Sequence, residues 1–97
     1  KTTIATIPIG YADGFSRKLG NGNGTVFINE KACKTVGNIC MDMCMVDVTD
    51  IDCKEGDEVI VFETNAQLME LSKAMETIPY EVLTSISSRV KRVYVQE

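Results

Sequence analysis

The chain holds no histidine among its 97 residues, so the commonest general base and the commonest metal ligand are both missing. Any chemistry must come from tyrosine, cysteine, lysine or carboxylates. Tyr11 is one candidate, set between glycines in Gly10-Tyr11-Ala12-Asp13-Gly14 with an acid two residues on. It reads as an aromatic lid over a barrel end or as a phenol projecting into a ligand cavity, and spacing alone leaves both open. Arg17 follows closely and can balance Asp13 or Asp42 or meet an anionic ligand. Tyr80, in Ile78-Pro79-Tyr80-Glu81-Val82, poses a similar choice. Its ring packs on the protein with the hydroxyl at the surface, the usual behaviour of an amphipathic tyrosine, or its hydroxyl serves a phosphate or carboxylate. The residue pattern favours packing.

The run from Gly37 to Val48, GNICMDMCMVDV, is rich in sulfur and apolar residues and reads as a strand buried on both faces. Asp42 lies in its middle, where an uncompensated carboxylate is costly to desolvate. Cys40 and Cys44, four residues apart, share a face of that strand. Cys33 and Cys53 fall in turns or strand ends, no C-x-x-C pair occurs, and a structural zinc site needs four convergent ligands. Buried thiols acting as small hydrophobes are the expectation, with a scattered four-thiolate metal site as the alternative.

These residues must be positioned by short elements. Thr2 to Ile9 reads as a strand ending near Pro8, and the two Asn-Gly pairs of Arg17–Gly24 read as a hairpin. Thr25–Asn29 and Ala32–Val36 are strands joined by a turn at 29–31, and Gly37 breaks into the Met/Cys strand. Asp50–Asp57 is a solvated acidic turn, since its lysine and glycine do not fit a calcium loop. Glu58–Glu63 is a further strand. Thr64 and Gln67 form a capping box ahead of an amphipathic helix of about three turns carrying Leu68, Leu71 and Met75 on one face, with Ser72 mostly off it. Pro79 opens a second short helix running through Ile86, and Arg89–Val95 is a closing strand. The fold class is mainly β: a small closed or half-closed Greek-key-type barrel with one or two short helices near the C-terminus, forming a single domain over residues 1–97.

Composition narrows the function classes. A net charge of −4 argues against nucleic acid, which needs clustered Lys and Arg. No apolar run has the length of a membrane span, and no signal-peptide pattern opens the sequence. Unpaired cysteines suit a reducing, cytoplasmic setting.

Three segments together become specific: IPIGYADGFSR, VGNICMDMCMVDVTD and IPYEVLTSISSRVKRVY, in that order. They resemble the C-terminal domain of alanine racemases, from about Ile4 to Tyr94. The resemblance implies an N-terminal barrel holding pyridoxal 5'-phosphate on a lysine, followed by a β domain like this one. It implies a homodimer in which the C-terminal domain of one chain closes over the cofactor barrel of its partner. The implied reaction interconverts L- and D-alanine for peptidoglycan, through a lysine and a tyrosine that both lie outside this sequence, so no catalytic residue is expected here.

By the same resemblance Met41 offers its backbone N–H to the substrate carboxylate, and Tyr80 gives its hydroxyl to the cofactor phosphate. Tyr11, Arg17, Asn38 and Ile78 line the access corridor, and Asp42 supports the carboxylate-binding methionine, itself held by hydrogen bonds at the wall of the cofactor cavity. Asn38 stands where many members carry an arginine. The isolated chain is expected to be inactive and to hold neither cofactor nor metal on its own. The other readings are a racemase acting on serine and a non-catalytic β-barrel module in which Tyr11, Met41 and Tyr80 form an interaction surface.

Overall fold

Alternation of apolar and polar residues over four- to six-residue runs sets the architecture. In a computed structural model of the protein, residues 2–86 are described in full, with the strand backbones Arg89–Lys91 and Tyr94–Gln96. The strands are β1 (Ile4–Ile7), β2 (Thr25–Ile28), β3 (Lys31–Val36), β4 (Cys44–Asp47), β5 (Glu58–Ile60), β6 (Arg89–Lys91) and β7 (Tyr94–Gln96); the helices are α1 (Asn65–Ala74) and α2 (Pro79–Ser85). Every second strand residue turns inward. Ala5, Ile7, Val26, Ile28, Cys33, Cys44, Val46 and Val59 are buried in one core with Phe15, Leu19 and Val82.

All strand pairs are antiparallel, in the order β6-β5-β2-β3-β4-β1-β7. β2, β3 and β4 run consecutively and β1 returns beside β4, the Greek-key arrangement. β6 and β7 stand at opposite ends of this order, yet Lys91 and Tyr94 are three residues apart in the chain. Covalent reach holds their Cα atoms within about 11 Å, so the sheet must curl into a barrel. The expected single closing strand over Arg89–Val95 is instead two strands on different partners; Arg92 and Val93, between them, lie outside the described residues.

The Asn-Gly-rich segment departs from the hairpin reading. Arg17–Leu19 forms a 3-10 turn rather than a strand, so the chain has nothing to pair back with β2. Asn21 and Gly22 do take the positive φ that such pairs favour, at 55° and 87°. Their turn is held by Thr35 on β3, whose hydroxyl accepts the N–H groups of Gly22 and Gly24 and donates to the Leu19 carbonyl. The true two-residue hairpin lies at Asn29-Glu30, both at positive φ, between β2 and β3.

The helices follow the sequence closely. Thr64 accepts the Gln67 N–H at 3.1 Å and Gln67 accepts the Thr64 N–H at 3.2 Å, closing the capping box that starts α1. Leu71 packs into the core, with Leu68 and Met75 against it. Ser72 is buried as well, contrary to its expected outward position, and satisfies its hydroxyl on the Met69 carbonyl. Pro79 opens α2, where a missing N–H does no harm.

Candidate functional site

Topology gathers the connections. Ile7 ends β1 opposite Cys44, where β4 begins; Val36 ends β3 opposite Met45. Thr25, at the start of β2, faces Lys34, and β5 ends beside β2 with Ile60 opposite Phe27 and Arg89. The long connections 8–24, 37–43 and 61–88 therefore all leave from one end of the barrel. Tyr11, Arg17, Asn38, Met41, Asp42, Ile78 and Tyr80 are distributed over these three connections, so distant stretches of sequence meet at one rim. The opposite end carries the Asn29-Glu30 turn and the acidic turn, where the Asn29 amide donates to the carbonyl of Asp52 and to Asp57.

The Gly10–Gly14 turn sits at the centre of this rim. Tyr11 donates its N–H to the Cys40 carbonyl at 3.0 Å and Ala12 donates to the Met41 carbonyl at 2.9 Å. Gly10 is buried beneath them: a Cβ there would lie 2.5 Å from the Met41 carbonyl oxygen and closer still to that of Cys40. Asp13 closes the turn, accepting the Gly10 N–H at 3.0 Å. Gly14, at φ 93°, presses on the Ser85 carbonyl at the end of α2, the helix that carries Tyr80. Thus one five-residue turn touches both the Met41 loop and α2. Both glycines let backbones approach closely, and Gly14 also takes a positive φ.

Contacts from the following 3-10 turn bind the rim further. The Arg17 guanidinium lies 5.7 Å from the centre of the Tyr11 ring, a cation–π contact rather than the expected pairing with Asp13 or Asp42. Lys18 donates to Glu76 at 2.8 Å, and Glu76 precedes Ile78 by two residues. The Asn21 amide donates to the Asn38 side chain at 3.3 Å, and the Asn21 N–H donates to the Gly37 carbonyl at 2.7 Å. The hydrogen bond from Lys18, together with its charge, holds the Glu76 carboxyl below the usual carboxylate range.

The Met/Cys run is not one buried strand. Only Cys44–Asp47 joins the sheet, whereas residues 37–43 form a loop along the rim. Asp42 is exposed and its carboxylate makes no hydrogen bond among the described residues. The burial cost expected for it does not arise, and the hydrogen bonds expected to offset that cost are absent. Cys40 and Cys44 do not share a strand face: Cys40 is exposed and Cys44 buried. Burial pushes the Cys44 thiol up to about 12 and the Cys33 thiol to about 11, which suits apolar filling. All four cysteines are free, and among the described residues no cluster of cysteines and carboxylates could hold a metal. The Tyr80 ring is not packed on the barrel, being 71% exposed; Met41 is 58% and Ile78 62% exposed. A separate groove of about 320 Å³ lies between α1 and the β2–β3 hairpin, against Phe27, Ala32 and Leu71, and its lining includes none of Tyr11, Arg17, Asn38, Met41, Asp42, Ile78 and Tyr80.

Peptide geometry decides what the rim offers chemically. A trans peptide directs its C=O and N–H oppositely. The Cys40 and Met41 carbonyls both point at the Gly10–Ala12 segment, so the Met41 and Asp42 N–H groups point away from it. Neither N–H has an acceptor among the described residues. Two adjacent donors on one side of a loop form a small concavity suited to an anion.

The family described as alanine racemase, C-terminal domain, matches residues 1–94. The chain is 45% identical to the alanine racemase of Clostridium tetani over 102 residues, covering 100% of this chain and 26% of that protein. It is 43% identical to that of Helicobacter pylori, with 98% and 26% covered. Among solved structures, alanine racemase from Clostridium difficile in complex with cycloserine superposes with a TM-score of 0.78 at 50% identity, covering 90% of this chain and 23% of that one. The Bartonella henselae alanine racemase with covalently bound pyridoxal phosphate gives a TM-score of 0.78 at 46% identity, with 96% and 26% covered. The chain spans about a quarter of the length of these relatives. Among the described residues no helix is long and apolar enough to cross a membrane.

Proposed function

The chain belongs to the family of alanine racemase C-terminal domains, and on that premise we propose that it walls the active site of a pyridoxal-phosphate-dependent racemase interconverting L- and D-alanine. The observation that carries the reading is the pair of unclaimed N–H groups at Met41 and Asp42, held outward by the Gly10–Ala12 turn. An amino acid substrate presents a carboxylate, and backbone amides grip a carboxylate without introducing a titrating group. Met41 is the principal donor. The exposed Asp42 side chain lies beside it.

Tyr80 fits a cofactor phosphate. Its hydroxyl is exposed, has no partner among the described residues, and sits on the helix that Gly14 fixes to the same rim. When bound, the cofactor withdraws electrons from the substrate Cα, so that its proton can leave and return on either face. The groups that move that proton are a lysine of the N-terminal barrel and a tyrosine a short way upstream of the Gly10–Gly14 segment, whereas the residues of this chain orient and enclose. Tyr11 with Arg17 stacked on it, Asn38 and Ile78 form the corridor through which substrate arrives, and their mixed polar and apolar faces admit a small zwitterion. Exposed Met41, Ile78 and Tyr80 are covered when the barrels of the same and the paired chain dock on this rim, in a cytoplasmic homodimer. The free thiols accord with that compartment.

The test uses the full-length parent. Tyr80→Phe is expected to weaken pyridoxal phosphate roughly ten- to a hundredfold, the loss of one hydrogen bond to a charged group. Unchanged cofactor affinity and unchanged turnover remove Tyr80 from the site. Parallel assays with L-alanine and L-serine fix the substrate. No racemisation of either by the loaded parent returns the rim to a purely structural interaction surface.

A further inference from the structure

We infer that Gly10 and Asp13 are positioning residues for the Met41 amide, acting through the backbone of the Gly10–Gly14 turn; the inference rests on the carboxylate-binding role proposed for Met41. The Met41 N–H has no partner of its own to set its direction. Its direction is set by the other half of its peptide, the Cys40 carbonyl, through the planarity of the bond. That carbonyl is held by the Tyr11 N–H, and the next one by the Ala12 N–H. Elsewhere the loop half of the run is tethered away from this peptide, with Gly37 and Asn38 bonded to Asn21 and Ile39 buried, and the Cys40 N–H donates to the Met43 carbonyl at 2.9 Å. Rotation of the 40–41 peptide is thus opposed chiefly by two hydrogen bonds from the turn.

Those two bonds need two features of the turn. The first is the absence of a side chain at Gly10. A methyl group there would overlap the Cys40 and Met41 carbonyl oxygens, and backbone cannot yield as a flexible side chain does. Gly10 is needed for this approach and not for its own conformation, since its φ of −148° is open to any residue. The second is the Asp13 carboxylate, which accepts the Gly10 N–H at 3.0 Å while the Asp13 N–H donates to the Gly10 carbonyl at 2.9 Å. This reciprocal pair sets the tight turn that presents the Tyr11 and Ala12 N–H groups side by side. Phe15, fully buried, anchors the far side through its own N–H on the Gly10 carbonyl. Neither Gly10 nor Asp13 needs to touch substrate for this role.

Propionate is the probe, applied to the cofactor-loaded full-length parent, because it carries the carboxylate without an amino group. Gly10→Ala and Asp13→Ala are each expected to raise the propionate inhibition constant and the KM for alanine roughly tenfold, with cofactor retention unchanged. Asp13→Asn keeps an acceptor oxygen for the Gly10 N–H and is expected to recover most of that loss, which generic loop damage would not allow. Met41→Pro deletes the donor itself and should weaken propionate at least as much. If Met41→Pro weakens propionate while Gly10→Ala and Asp13→Ala do not, the positioning role is overturned and the carboxylate site stands. If Met41→Pro leaves propionate binding intact, the carboxylate site itself is wrong. Should Gly10→Ala lose its cofactor through misfolding, the Asp13→Ala and Asp13→Asn pair decides alone.

Discussion

The two halves of GNICMDMCMVDV have nearly the same composition and opposite fates. From Cys44 onward the residues alternate, with Cys44, Val46 and Val48 buried and β4 paired to β1 on one side and β3 on the other. From Gly37 to Met43 only Ile39 is buried, while Cys40, Met41, Asp42 and Met43 face outward. Sulfur-rich apolar character therefore does not by itself mean core. In the strand half it fills the barrel. In the loop half it lies exposed, and a patch of methionine with tyrosine nearby is chemically adaptable. The loop half also lacks a ladder, and its Met41 and Asp42 N–H groups have no acceptor among the described residues.

The largest expected difference between the halves is in stability. Val46→Ala should cost about 2 kcal/mol, transfer and cavity terms together, whereas Met41→Ala should change stability by less than about 0.5 kcal/mol. Urea unfolding of the 97-residue chain measures both, and equal losses would erase the distinction. Gly37 sits at the start of the loop with φ 70° and open space around its Cα. Gly37→Ala should therefore cost about 1 kcal/mol from backbone strain alone, without a clash.

Thiol chemistry sharpens the same contrast. The thiolate is the reactive form, so exposed Cys40 should take a maleimide first, with Cys44 and Cys33 protected until the protein unfolds; peptide mapping reads the order. The buried pair also gives a pH dependence. Their raised values, about 12 and about 11, mean that the folded chain keeps protons that the unfolded chain releases. Stability from these two thiols is thus complete below the ordinary thiol range near 8.5 and falls as pH rises above it. Cys44→Ala should flatten that alkaline slope and Cys40→Ala should not.

The smallest effect is expected at the exposed Lys18–Glu76 pair. Lys18→Ala should leave neutral-pH stability almost unchanged, because the pair is exposed and screened. The pair lowers the Glu76 carboxyl, so its contribution is present above the ordinary glutamate range and is lost as pH falls through the lowered value. Acid titration of Lys18→Ala beside the parent chain should show a slightly shallower loss, and an identical curve would mean that the contact is idle in solution.

Much of this was legible in the residue order. Alternating short runs gave a barrel, the capping box gave α1, and Pro79 gave α2, because each rests on contacts within a few residues. The segments GYADG, ICMD and IPYEV also brought the family into view. The misreadings share a cause. Treating 37–48 as one strand followed apolar content where pairing was needed, and only the Cys44–Asp47 part finds neighbours. The Asn-Gly pairs form their turn, but the preceding residues coil into a 3-10 turn and provide no strand to pair. Ser72 faces inward because its hydroxyl can bond the Met69 carbonyl, a local solution that polarity alone does not reveal.

What the sequence determined by itself was the inventory: local conformations, the absence of histidine, and the motifs that mark the family. Tertiary structure decided which of those residues meet. Gly10 matters because two carbonyls from Cys40 and Met41, about 100 Å away along a fully extended chain, come to lie against it, and Gly14 because α2 ends there. Such approaches depend on long-range register, and a one-dimensional pattern does not encode distance between segments that only a folded barrel brings together.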